Sequence, residues 1–361
     1  MDRIVKIGII GCGGIANAKH MPSLKRIENV QMVAFCDIIR EKAELAAKEF
    51  GVPDAKVYTD YKELLADPEI EVVHILTPNK EHADISIDAL YAGKHVMCEK
   101  PMAKTAADAR RMCEAAKATG KKLTIGYQHR QKPQSQYAKE YIESGALGEI
   151  YYANCLATRR RGTPNWGVFL NEDEQGGGPI IDIATHSLDL TLYLMNNYEP
   201  EMVVGKTHKK LEHPEAGNIW GDNGVSTTPL EEAACAFIRM KNGATILLET
   251  SWALNTAEPV PEGSCVLCGS KAGLSIKADK LTINKVELDR QSITEVDTSA
   301  GGVAFYSGAI MSSADVEAYN WIKCIVDDTD PVVMPEQALV VSEILEAIYE
   351  SSKTGKAIYF E

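Results

Sequence analysis

No stretch of this chain approaches the roughly 20 consecutive apolar residues of a bilayer-spanning helix, so no transmembrane segment is expected. Basic residues are in deficit. Against 51 Asp and Glu there are 38 Lys and Arg, for a formal net charge of -13. Binding to nucleic-acid phosphates needs a basic face, so a nucleic-acid partner is excluded and an anionic membrane surface is disfavoured. Residues 1–6 show no signal-peptide pattern. The nine cysteines are an odd, scattered set, which fits reduced thiols in a cytoplasmic protein. Metal-ligand spacing is also missing. Cys265-Val266-Leu267-Cys268 is a lone pair with no two further ligands at suitable spacing, so two ordinary thiols and no metal are expected. Repeats, low-complexity tracts and long linkers are absent as well.

What remains is an ordinary globular composition, 45% apolar and 25% charged. At 361 residues it suggests two domains. From Lys6 to about Ile125, short apolar strands alternate with helical stretches. Strands are expected at Lys6–Ile10, Gln31–Cys36, Val72–Leu76, His95–Cys98 and Leu123–Ile125. Helices are expected from the Gly11 turn to Arg26, over Arg40–Phe50, from Asp60 to Leu65, over Glu81–Ala92 and from Thr105 to Thr119. Repeated β-α units with apolar strands imply a parallel sheet covered on both faces. The expected division is 1–125 and 126–361.

Gly11-Cys12-Gly13-Gly14-Ile15-Ala16 follows the first strand at once. It matches the dinucleotide fingerprint G-x-G-x-x-A in its required strand-to-helix context. Gly11 allows the tight turn, Gly13 lets a pyrophosphate approach the backbone, and Ala16 keeps helix and strand close. Gly14 and Ile15 complete the turn at the helix N-terminus, where N–H groups favour an anion. Asp37 ends the second strand, 21 residues after Ala16. A carboxylate there hydrogen-bonds a free ribose 2′-hydroxyl and repels a 2′-phosphate, so NAD is favoured over NADP.

Two further stretches carry chemistry. Glu99-Lys100-Pro101 puts a lysine at the end of an apolar strand, the edge where such sheets hold ligands. Gly176-Gly177-Gly178-Pro179-Ile180-Ile181-Asp182-Ile183-Ala184-Thr185-His186 puts an acid and a histidine four apart, on one helical face. His186 is a suitable proton acceptor near neutrality. Asp182 can orient its ring, and Lys100 can stabilise a developing alkoxide. Asp189 suits either a second residue on that face or a local pair. His20, His74, His95 and His129 have no comparable context.

Together with Thr77-Pro78-Asn79-Lys80-Glu81-His82, these motifs stand in an order that resembles the Gfo/Idh/MocA oxidoreductase family over nearly the whole chain. The resemblance implies an N-terminal Rossmann domain and a C-terminal α+β domain on a large open, mostly antiparallel sheet. It implies that Thr77, Pro78, Asn79 and His82 line the cofactor, with Glu99, Lys100 and Gln128 bordering the nicotinamide, and that the Lys100-Pro101 bond is a candidate cis peptide. The stretch from Tyr151 to Phe169 narrows the likeness to gut-bacterial members that oxidise glycosides at C3. There Arg159 and Trp166 are candidate substrate contacts; the alternative for Arg159 to Arg161 is a solvated basic turn.

Past residue 150 the pattern becomes α+β. Strands are expected at Ile150–Ala157, Ala233–Met240, Ala244–Trp252, Leu274–Ile276 and Leu281–Ile283. Asn242-Gly243 marks a hairpin. Helices are expected over 134–143, 314–326 and 336–351, and 212–229 reads as an irregular loop holding Trp220. One sheet face is expected to be free for homo-oligomerisation. The expected function is NAD-dependent oxidation of a secondary hydroxyl, at C3 of a sugar, glycoside or cyclitol, by hydride transfer. The alternatives are a glycosidase that oxidises transiently and a non-catalytic NAD-sensing regulator.

Overall fold

The computed structural model describes residues 3–298 and 312–361. Its first six strands are β1 (Val5–Ile10), β2 (Val30–Cys36), β3 (Lys56–Tyr58), β4 (Val72–Ile75), β5 (His95–Cys98) and β6 (Leu123–Ile125). They form one sheet in the order β3-β2-β1-β4-β5-β6, and every pairing is parallel. That is the doubly wound order of dinucleotide-binding sheets, whose ligands lie outside the carboxyl ends of the strands. Gly11, Asp37, Thr77 and Glu99 all follow such strand ends. No helix among the described residues is long and apolar enough to cross a membrane.

The core of this unit holds Ile7, Ile9, Phe35, Val72 and Met97, all but sealed from solvent. It also holds residues from much later in the chain. The helix Ser313–Asp327 repeats apolar side chains at helical spacing, Ala318, Trp321, Ile322 and Ile325, and buries them in the same cluster. A compact unit ending at Gln128 is therefore completed by the stretch that ends at Leu339. This differs from the continuous division at residue 125. The cause is an amphipathic helix whose apolar face finds its partner far back in sequence.

After the glycine turn the chain forms a wide π-type turn, Ala16–His20, and then a short helix, Met21–Lys25. A single helix to Arg26 was the expectation. Pro22 opens the second piece. It has no N–H to give and its ring crowds the preceding turn, so the ladder widens there. Thr105 caps Ala106–Thr119 by accepting from the Asp108 N–H, and Gly120 ends that helix at positive φ.

The second unit runs from His129 and ends with Val340–Glu361. Its strands are β7 (Ile150–Thr158), β8 (Pro200–His208), β9 (Ala233–Met240), β10 (Thr245–Ser251), β11 (Val260–Gly269), β12 (Ala272–Lys277), β13 (Lys280–Glu287), β14 (Arg290–Val296) and β15 (Ile358–Tyr359). They form a nine-stranded sheet ordered β14-β13-β12-β11-β7-β10-β9-β8-β15. The β7–β10 pairing is parallel and the remaining pairings are antiparallel. The β9–β10 hairpin closes through Gly243 at φ 88°.

Side chains alternate across this sheet. Ala153, Cys155 and Ala157 of β7 are buried, and the helix Thr185–Met195 packs on β7 and β11. The opposite face carries a register-aligned row of Val204, Phe237, Leu247, Asn154 and Val266. Val204, Phe237 and Leu247 are exposed. Cys265 and Cys268, three apart on β11, point to opposite faces as strand geometry requires. Both are free thiols.

Candidate active site

In the first unit the glycine turn is built by exclusion. Gly11 has φ 91°, and a Cβ there would sit 2.6 Å from the Leu76 carbonyl oxygen. Around Gly13 and Gly14 a Cβ would meet nothing within 4 Å, so the backbone is open on the side where a pyrophosphate approaches. Ala16 is fully buried against the sheet, and Ile15 is exposed at the turn. The Asp37 carboxylate accepts from the Cys12 N–H and the Ile39 N–H, each at 2.9 Å. Each oxygen keeps a further lone pair for a ribose hydroxyl. Thr77 Oγ1 is buried without a hydrogen-bond partner among the described residues, and a buried polar atom of this kind suits a ligand-lining position. These features fit a dinucleotide.

His82 is wholly buried, with Nδ1 2.8 Å from the Pro101 carbonyl and Nε2 2.9 Å from the Thr77 carbonyl. Burial pushes its pKa down, although both carbonyls oppose this. Its ring therefore ties the loop after β4 to the loop after β5. Asn79 is buried beside it in sequence, after Pro78. The Lys100–Pro101 peptide is cis.

Glu99 has a different surrounding from the one the motif suggests. It is buried, and its carboxylate accepts from Lys19 Nζ at 2.8 Å, contacts His20 Nε2 at 2.8 Å and accepts the Lys100 N–H at 2.9 Å. Lys19 also bridges to Glu317 at 2.8 Å. Burial alone would raise the Glu99 carboxyl, but Lys19 and His20 outweigh it and hold the group well below its usual range. Behind it, His74 Nδ1 lies 3.4 Å from His20 Nδ1. Burial, with His20 and Lys19 nearby, drives the His74 pKa far down. Glu99, His20 and His74 thus brace the backbone that carries Lys100. Gln128, the last residue of this unit's first segment, opens a 3-10 turn over Gln128–Gln131.

In the second unit the three glycines have separate causes. Gly176 ends a short helix at φ 85°. A Cβ on Gly177 would collide with Tyr349 Oη at 2.0 Å, and one on Gly178 with the Glu231 carbonyl at 2.7 Å. Glu231 accepts from the Gly178 N–H and from Tyr349 Oη. The run therefore lets the backbone dock on Glu231 and Tyr349. A π-type turn over Ile180–Ala184 follows, carrying Asp182, and leads straight into the helix with His186. Asp182 Oδ2 accepts from Trp252 Nε1 at 2.9 Å and lies 4.0 Å from Arg159 Nη1.

His186 is buried, and its ring packs edge-on against His129 with centroids 4.8 Å apart. His129 is a neighbour of His186 that the sequence alone does not point to. Gly263, at φ 74°, is what admits it: a Cβ there would reach His129 Nδ1 at 2.1 Å. The next residue, Arg130, makes a bidentate pair with Asp189, 2.9 Å from Nε and 2.6 Å from Nη2, with both side chains fully buried. Asp189 therefore anchors the turn that presents His129.

The three arginines diverge. Arg159 is half-buried, donates to the Gly162 carbonyl and Glu262, and lies 5.8 Å over the Trp220 ring. Arg161 ties Ala216 and Asn255 together, and Arg160 is exposed. Trp166 is exposed, edge-on to Trp220 and Phe169.

Fold and motifs together define an oxidoreductase with a nucleotide-binding domain and a separate sheet domain. The family model described as "Oxidoreductase family, NAD-binding Rossmann fold" matches residues 5–127, and its C-terminal alpha/beta partner matches 139–360. The chain belongs to the Gfo/Idh/MocA oxidoreductase family, and it is an NAD-dependent dehydrogenase of that family. It is 32% identical to a D-glucoside 3-dehydrogenase from Escherichia coli (strain K12), over 98% of this chain and 97% of that one. It is 38% identical to an inositol 2-dehydrogenase from Salmonella typhimurium over 40% of this chain and 43% of that one. A levoglucosan dehydrogenase solved with NADH and L-sorbose shares the fold with a TM-score of 0.84 at 23% identity, over 99% of both chains.

Proposed function

We propose that the protein oxidises a secondary hydroxyl, at C3, of a glucoside or related sugar. The observation that carries this is the end-to-end similarity to a D-glucoside 3-dehydrogenase. Bound NAD supplies the hydride acceptor. His186 takes the hydroxyl proton. Asp182, fixed by Trp252, orients and stabilises the charged imidazole. Lys100, on the backbone braced by Glu99, is the cation for a developing alkoxide, whose pKa it lowers. Gly11, Gly13, Gly14, Ile15, Asp37, Thr77, Pro78 and Asn79 hold the dinucleotide, and Arg159 and Trp166 contact substrate. His82 and Glu99 serve that site by supporting its loops. The exposed apolar row on the sheet takes a second copy of the chain, and light scattering of the purified protein tests that.

The test of the reaction is NADH formation on a panel of free sugars, inositols and glycosides, with mass spectrometry locating the ketone. Lys100→Met and His186→Ala are each expected to lower turnover about 10²- to 10⁴-fold while NAD binding persists. Unchanged rates reject the assignment. Aglycone release without net NADH identifies the transient-oxidation glycosidase instead.

A further inference from the structure

A cavity of about 810 Å³ lies wholly within the second unit. Its walls include Arg159, Arg160, Ile219, Trp220, Pro261 and Glu262. We propose that it is the subsite for an aromatic aglycone, the flat group attached to the sugar that is oxidised. This rests on the reading of the chain as a glycoside oxidoreductase.

Four observations carry it. The volume falls in the upper part of the range for drug-sized ligands, about 300–1,000 Å³. A lone pyranose, hydroxylated all round, needs polar partners on many sides. Here Ile219, Trp220 and two prolines supply an apolar wall, and of the charged residues beside it Arg159 lies 3.2 Å from Glu262 while Arg161 donates to the Ala216 carbonyl and Asn255.

The apolar side chains are also exposed and held. Ile219 is 69% exposed and Trp220 41%. Their loop is pinned by side-chain amides. Asn165 Nδ2 donates to the Trp220 carbonyl at 2.9 Å, Asn218 Nδ2 donates to the Thr163 and Gly221 carbonyls, and the Thr163 N–H donates to Asn218 Oδ1 at 2.9 Å. Exposed apolar surface on a backbone fixed in this way is pre-organised for a ligand.

The cavity also adjoins the chemistry. The guanidinium of Arg159 stands over the Trp220 ring and 4.0 Å from Asp182 Oδ2. One residue thus separates the apolar wall from the residue that orients His186. An aromatic ring in the cavity would lie against the Trp220 indole.

The test uses the full-length, NAD-loaded protein with 4-nitrophenyl β-D-glucopyranoside and methyl β-D-glucopyranoside, comparing affinity by calorimetry and kcat/KM by NADH formation. The aryl compound is expected to bind about tenfold more tightly than the methyl compound. Trp220→Ala should abolish most of that ratio. Ile219→Asp should do the same, at a position too exposed for the change to compromise folding. Equal binding of the two glucosides, binding of neither, or a ratio untouched in both variants overturns the subsite. Aryl binding that depends on Trp220 without any NADH leaves the subsite standing and removes the oxidation reading. Oxidation of both compounds without an aryl preference does the reverse.

Discussion

Lys19 in the first unit lies between Glu99 and Glu317, each 2.8 Å away, with all three side chains no more than a tenth exposed. Arg159 in the second unit also meets two carboxylates, Glu262 at 3.2 Å and Asp182 at 4.0 Å, but its side chain is 24% exposed and borders a cavity. The chemistry of the two clusters is alike, and burial separates them. A charge sealed from water must be paired, because its desolvation cost is not otherwise met. A charge at a cavity mouth can exchange a neighbour for water or a ligand at little cost. The first cluster is therefore a brace for the backbone that carries Lys100, and the second is a surface open to a ligand.

The contrast breaks most visibly at Lys19. Lys19→Met leaves Glu99 and Glu317 buried without their shared cation, and a loss of about 3–5 kcal/mol is expected. Chemical denaturation measures it. Glu317→Gln in the Lys19→Met background should restore part of the loss, since one of the two stranded charges is gone. A Lys19→Met protein as stable as the parent would show that the buried network is not what holds this unit.

Acid should act on the same cluster next. Glu99 and His74 both have depressed folded-state pKa values. A depressed pKa contributes stability above the unfolded value, and that contribution is lost as pH falls towards the folded value. The window thus opens below 6.5, the ordinary histidine value, and deepens below 4.5, the ordinary glutamate value. Tm should fall across it. His74→Gln should remove the upper part of the fall, because His74 Nε2 has no hydrogen-bond partner among the described residues and a proton there would sit unpaired in the core. Tm that is flat between pH 7 and pH 5 in the parent protein would contradict this.

The parts of the molecule legible in sequence are those whose cause is local. Gly11 is readable because the turn needs positive φ, and β5 and β9 because their apolar patterns end at turn residues. The four-residue spacing of Asp182 and His186 is likewise local, and the chain runs from a π-type turn that carries the first straight into the helix that carries the second. What was not legible has partners far away in the chain. His129 acquires meaning only from Gly263 and from the Arg130–Asp189 pair. The Gly176 run reads as a motif, yet its need for glycine comes from Tyr349 and Glu231. Trp252 is 70 residues from the carboxylate it holds. Strands β8, β11 and β14 were missed because Pro200, the bulge with Pro261 and Gly263, and the polar, exposed run from Arg290 hide their alternation.

Arg159 supplies the smallest effect on stability and the sharpest separation of the two regions. Its pairs are half-exposed, and such ion pairs contribute on the order of 0–1 kcal/mol. Arg159→Met keeps much of the stem that packs along Gly162 and removes the guanidinium over Trp220. Denaturation midpoints should shift by no more than that amount. KM for a glycoside substrate should nevertheless rise about tenfold or more, since a cation against an aromatic wall contributes of the order of 1–2 kcal/mol once water is displaced. Lys19→Met should show the reverse balance, a large loss of stability with KM little altered at temperatures where the variant stays folded. If Arg159→Met instead unfolds the second unit and leaves KM untouched, its role is that of a brace like Lys19, and exposure does not separate the two clusters after all.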